Sequence, residues 1–184
     1  MHKVYLLLFV FLWINNTNAQ IDTNPSVARH IKITAADSLV SIKETVKTQL
    51  YKNISKKQSN PLRLLVTNAN KTAGSNIGRW VAAKQQKDLY RIDLAALVSK
   101  YIGETEKNLE LLFARAEEKN WVLFFDEADA LFGKRSNTET ETNPGVAAFI
   151  KYCNAFKGTV LISCTGDDCT NSILKTKFIV VNVK

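Results

Sequence analysis

The sequence predicts a three-layer α/β/α sandwich built on a mostly parallel sheet of five strands. Two observations carry this expectation. From Leu62 onward, short apolar or β-branched runs alternate with segments of helical period, the order that places helices on both faces of a parallel sheet. The run Trp121–Phe125 is apolar without interruption and passes directly into Asp126 and Glu127. A strand buried on both faces reads this way when it ends at the edge of the sheet where ligands sit. The hydrophobic fraction, 46% of 184 residues, suits one globular core.

Met1–Ala19 has a short basic start at His2 and Lys3, an apolar run from Val4 to Ile14 and small residues before Gln20, the pattern of a secretory signal peptide. The apolar run is too short to span a hydrocarbon layer of about 30 Å. Export to a periplasmic or extracellular space is therefore expected, with no stable membrane span in the mature chain. Residues 20–37 are polar, carry Pro25 and read as a linker or tail. The domain itself is expected over residues 38–184.

Ser38–Tyr51 spaces Leu39, Ile42, Val46 and Leu50 by three and four, which predicts an amphipathic helix, and Lys52–Pro61 reads as a basic polar loop. Leu62–Thr67 predicts the first core strand, and Ile77–Lys84 a helix burying Ile77, Trp80 and Val81. Leu89–Leu94 predicts a second strand. Glu106–Glu118 predicts a helix capped by Thr105, with Leu109, Leu112, Phe113 and Ala116 inward. Asn137–Asn143 reads as a solvated loop. Pro144–Phe156 predicts a helix with Val146, Ile150, Cys153 and Phe156 inward, and Gly158–Cys164 and Phe178–Val183 supply the last two strands.

The formal charge is +8, or +7 without Lys3, and the lysines are scattered along the chain. No arginine-rich helix or stacking motif points to nucleic acid, so none is expected as a partner. Three cysteines, Cys153, Cys164 and Cys169, fit small buried thiols better than a framework. A Cys164–Cys169 disulfide with Cys153 free is the alternative.

The stretch DLYRIDLAALVSKYIGETEKNLELLFARAEEKNWVLFFDEADALFGKRS, Asp88 to Ser136, resembles the AAA family of ATPases, and a looser likeness runs from Leu62 to Lys184. The resemblance implies a P-loop NTPase-like fold with Mg²⁺ and ATP as cofactors. Asp126 matches the carboxylate that coordinates Mg²⁺, and Glu127 the catalytic one that activates the attacking water. Tyr101, Ile102 and Gly103 fall where the family has a pore loop that grips a polypeptide.

The phosphate-binding loop must fall on Asn68–Ser75, NANKTAGS. Such loops need glycines that turn backbone N–H groups onto phosphate, a Lys for the β and γ charges and a hydroxyl for the metal. Counting back from Asp88, the family's Lys falls on Gly74, its hydroxyl on Ser75 and its glycines on Asn68, Lys71 and Ala73. The candidate nucleotide-binding residues are thus Asn68, Asn70, Lys71, Gly74 and Ser75, with Ser75 a second metal ligand beside Asp126. A shifted register makes Lys71–Thr72 the Lys-hydroxyl pair but puts the first glycine position at Leu65, inside the strand. The family's γ-phosphate sensor falls on Gly166, and its arginine pair on Lys175 and Thr176. The helical lid is expected to be missing.

Phosphoryl transfer depends on all of these parts acting together. With the signal pattern at the N-terminus and these departures from the family's loop, an exported AAA-like pseudo-ATPase with weak or no ATP affinity is expected. It would act through a protein or peptide partner, as a monomer or small oligomer instead of a hexamer. Two alternatives stay open: an active Mg-ATP hydrolase using Asp126 and Glu127, and a truncated copy without activity.

Overall fold

The structure is a computed structural model and describes residues 28–56, 61–94, 97, 105–132, 144–165 and 172–183. In chain order its elements are β1 (Ala28–Ile31), a 3₁₀ turn (Ala35–Leu39), α1 (Glu44–Lys56), β2 (Arg63–Thr67), α2 (Lys71–Gln85) and β3 (Leu89–Asp93). Then come α3 (Thr105–Lys119), β4 (Val122–Asp126), α4 (Asp129–Phe132), α5 (Pro144–Ala155), β5 (Val160–Ser163), α6 (Ser172–Lys177) and β6 (Ile179–Asn182).

One sheet runs through the molecule in the order β1-β3-β4-β5-β2-β6. The five strands β2 to β6 pair in parallel, as the alternation of elements predicts. The sixth, β1, pairs antiparallel with β3 through Ala28↔Ile92 to Ile31↔Leu89 and lies in the stretch read as a linker. Part of the linker is thus sheet. Its sequence, ARHI, is too short and too polar to show a period, and side chains from elsewhere in the fold hold it. His30 Nε2 lies 3.0 Å from Asp88 Oδ2, the Ile33 amide donates to Asp88 Oδ1, and the His30 ring stacks on Trp121.

The helix expected over Ser38–Tyr51 is displaced toward its C-terminal end. Thr34 and Asp37 form a capping box that starts a separate 3₁₀ turn, and Val40 is extended, so the α-helical run begins at Glu44 and continues to Lys56. Hydrogen bonds from the Thr34 backbone and from Arg79, on α2, hold the Asp37 carboxyl below its usual range. Val46 and Leu50 are buried as predicted, whereas Leu39 is 84% exposed.

The sheet divides the apolar interior in two. On one face α1 and α2 pack Val46, Leu50, Ile77, Trp80 and Val81 against Leu64, Val66, Phe124 and Leu161. On the other, α3, α4, α5 and α6 pack Leu109, Phe113, Phe149 and Leu174 against Leu65, Phe125 and Ile162. Alternate residues of β4 thus serve opposite faces, which is why its sequence is apolar at every position from Val122 to Phe125. All four inward positions predicted for α3 are buried; in α5, Phe149 is fully buried and Ile150 only half so.

Arg63, at the start of β2, closes the end of α5. Its guanidinium donates to the carbonyls of Cys153, Phe156 and Gly158, with Nε 2.8 Å from the Cys153 oxygen, satisfying acceptors that a helix C-terminus leaves open. Burial lowers the Arg63 pKa from its ordinary value. Cys153 is a free, buried thiol whose pKa burial pushes far up. Cys164 is disulfide-bonded, which overturns the expectation of three thiols; Cys169 lies outside the described residues.

Candidate functional site at the carboxyl edge of the sheet

The parallel strands end at one edge, where the register sets Asp93 of β3 beside Asp126 of β4. Asp126 is 3% exposed, and both oxygens of its carboxylate are engaged from within the fold. The Arg91 guanidinium grips Oδ2 through Nη2 and through Nε at 3.1 Å. On the other oxygen, Ser163 Oγ donates at 2.5 Å and the Glu127 amide at 3.1 Å. Both oxygens are engaged, one by a cation and one by a short charge-assisted hydrogen bond.

Glu127 follows with φ 54, the left-handed region that a Glu enters only at a cost. That turn brings its carboxylate to Lys71, whose Nζ donates to Oε1 at 2.7 Å. The hydrogen bond from Lys71 to Glu127, assisted by their opposite charge, raises the Lys71 pKa. Asp129 accepts from the Thr165 amide at 3.1 Å and from Thr165 Oγ1 at 3.2 Å, fastening the start of α4 to the end of β5.

Between these groups lies a cavity of about 250 Å³, lined by Ala69, Lys71, Asp126, Glu127, Asp129, Ser163 and Thr165. Of the sequence candidates, Lys71, Asp126 and Glu127 come together here. Asn68, Asn70, Gly74 and Ser75 are not among the lining residues. Tyr101, Ile102, Gly103 and Gly166 lie outside the described residues.

The local fold explains the split. β2 ends at Thr67 and α2 starts at Lys71, so only Asn68, Ala69 and Asn70 connect them. Asn68 takes the left-handed conformation, φ 56, that lets the chain turn so soon, and its side-chain Nδ2 donates to Asn182 Oδ1. Asn70 caps the helix by accepting from the Ala73 amide at 2.8 Å. Gly74 and Ser75 are therefore helical residues of the first turns and not a loop. The helix thus begins six residues before the expected Ile77, because Asn70 caps it.

Gly74 faces the sheet. A Cβ there would lie 3.1 Å from Ser163 Cβ and 3.2 Å from its Oγ, and one at Gly78 would lie 3.3 Å from Phe124. The position matching the family's Lys is thus pressed onto Ser163 of β5, whose hydroxyl donates to Asp126. Lys71, on the first residue of the helix, is the ammonium that reaches the cavity. As arranged, these residues do not fit a hydrated Mg²⁺: Asp126 is already held on both oxygens, and Ser75 lies away from the cavity.

Arg91, Ser163, Asp129 and Thr165 were not singled out from sequence. Two carried a signal. Arg91 stands two positions before Asp93 and so on the same face of its strand, and Ser163 is the one polar residue of the run VLIS at the end of β5.

Residues 47–178 match the family described as "ATPase family associated with various cellular activities (AAA)". Fidgetin-like protein 1 of Caenorhabditis briggsae is 40% identical over 73 residues, which are 39% of this chain and 12% of that protein. The proteasome-associated ATPase of a Nocardioides species is 31% identical over 109 residues, 52% of this chain and 19% of the relative. The chain thus spans less than a fifth of the length of these relatives. Among solved structures, the FIGL-1 AAA domain in complex with ADP superposes with a TM-score of 0.62 at 20% identity, over 85% of this chain and 57% of that one. With the family match covering most of its length and the fold shared as well, this chain belongs to the AAA family of ATPases.

Proposed function

We propose that this AAA-type domain is a pseudo-ATPase with weak or no affinity for nucleotide, and that it is exported and acts by binding a protein or peptide partner as a monomer or small oligomer. The observation that carries the reading is the Lys71–Glu127 ion pair beside a connection of only three residues. Cradling a triphosphate takes a run of inward backbone N–H groups together with an ammonium. Here Asn70 consumes the Ala73 amide and Glu127 engages the ammonium. Export is supported by the signal-like pattern of Met1–Ala19 and by the disulfide at Cys164, a bond that persists in oxidising compartments. Neither ATP nor Mg²⁺ is then a required cofactor.

A second reading has its own support. Lys71 is the first residue of α2, Thr72 follows it, and the Lys71 ammonium lines the cavity. In the shifted register this is the Lys-hydroxyl pair of an active ATPase, with Asp126 and Glu127 released when nucleotide enters.

Calorimetric titration of Mg-ATP into the purified chain, beside Asp126→Asn and Lys71→Met, separates the two. The pseudo-ATPase reading expects no saturable heat up to millimolar nucleotide. Micromolar binding that both substitutions abolish would replace it with the second reading.

A further inference from the structure

Lysines that are scattered along the sequence are gathered by the fold. Between Ala28 and Arg91 there are thirteen Lys and Arg against three Asp and Glu; from Ile92 to Lys184 there are eleven against thirteen. The first segment supplies β1, the 3₁₀ turn, α1 and α2, and both of its helices pack on the same face of the sheet. α2 carries no carboxylate at all, and α1 carries one, Glu44, which pairs with Lys47 at 2.6 Å. Asp37 is buried against Arg79. The outer surface of this layer therefore presents Lys43, Lys52 and Lys84 with little to offset them. The opposite layer is mixed: α3 alone has four carboxylates and three cations.

The same layer carries two of the three most exposed large apolar side chains among the described residues, Leu39 at 84% and Tyr51 at 45%. Lys84 Nζ stands 5.5 Å from the centre of the Tyr51 ring and 5.6 Å from that of Trp80, so cation and aromatic sit together where α1 meets α2.

We propose that the α1–α2 face is a peripheral docking surface for an anionic phospholipid bilayer. Lysine-dominated charge with isolated Leu and Tyr side chains is the chemistry of the headgroup interface, where ammonium groups meet lipid phosphates and apolar tips enter the acyl boundary. Nucleic acid is the less fitting polyanion: apart from Arg29 on β1 the outward cations are lysines, while Arg79 and Arg91 are tied to Asp37 and Asp126. Among the described residues no helix is long and apolar enough to cross a membrane, so the contact is to the surface.

The test is co-sedimentation of the full chain with vesicles of mixed phosphatidylglycerol and phosphatidylcholine, and with pure phosphatidylcholine, at physiological salt. The chain should pellet with the first and not the second. A lysine near an anionic surface contributes about 1 kcal/mol, so each of Lys52→Glu and Lys84→Glu should lower partitioning about fivefold or more. Leu39→Ser should lower it without changing the salt dependence. Lys151→Glu with Lys157→Glu, on the opposite layer, should leave it unchanged, with thermal unfolding of every variant showing an intact fold. Equal loss from both layers would reduce the effect to net charge and overturn the docking surface. So would binding to duplex DNA without binding to vesicles, or no partitioning at all.

Discussion

β2 and β4 end at the same edge of one sheet, and each turns at once through a left-handed residue, Asn68 after β2 and Glu127 after β4. After β4 the family's residue types are still in place: two adjacent carboxylates at the strand tip, one buried and one partly exposed, both lining the cavity. After β2 it is not, because a three-residue turn leads straight into a capped helix. The difference teaches that a strand end and a loop are maintained by different forces. Asp126 is fixed by the same parallel pairing and buried contacts that hold the core together. A phosphate loop is fixed by glycines and by its ligand, and without them the backbone N–H groups find nearer acceptors.

Asp126→Ala is the strongest attempt to break this contrast. It would leave the Arg91 guanidinium and the Ser163 hydroxyl without their shared partner at a nearly buried point. Losing one member of a buried pair costs about 3–5 kcal/mol, which denaturant unfolding would read directly. A loss near zero would mean that the carboxylate is not structural and is held in readiness for something else.

Gly74→Lys works on the other strand end by restoring the residue that the family's register calls for. The new side chain must displace Ser163, so a loss of about 1–3 kcal/mol is expected, the usual penalty for overpacking. The pseudo-ATPase reading expects no nucleotide binding by this variant. Saturable binding in calorimetry, where the parent chain shows none, would mean that only the lysine is missing. Asn70→Ala, which removes the cap on the Ala73 amide, should cost less, about 1 kcal/mol.

How far each end could be read in advance follows the same division. The strands were legible because burial on both faces forces an apolar residue at every position, as in Val122–Phe125, and the inward face of α3 because its period is regular. β1 was not, since four residues held by His30, Asp88 and Trp121 leave no local signature. At the site, Asp126 and Glu127 stood out by their place at the end of an apolar run. The fate of Asn68–Ser75 turned on a cap at Asn70, a local signal three residues from its partner, and on how near α2 lies to Ser163, a tertiary fact. Asp126's partners Arg91 and Ser163 come from two other strands, and only the sheet order brings them to it.

Lys71→Met makes the smallest expected change in stability and most sharply separates the two readings of the site. Lys71 and Glu127 keep 60% and 39% of their side-chain exposure, so solvent screens the pair and its removal should cost about 1 kcal/mol or less. Because Glu127 raises the Lys71 pKa, the folded chain holds this proton more tightly than the unfolded one. The stabilisation is then fully present below the unfolded lysine value of about 10.4 and disappears as pH rises through the higher folded value. Melting temperatures of the two proteins should differ by a constant small amount at neutral pH and converge in strong alkali. A gap that stays flat through that range would mean the stabilisation has another source. Adding Mg-ATP at neutral pH completes the comparison. If Lys71 serves only Glu127, nucleotide shifts neither melting curve. If instead it raises the wild-type curve and leaves Lys71→Met unmoved, the ammonium was waiting for phosphate, and the turn after β2 has kept more of its ancestry than its length suggests.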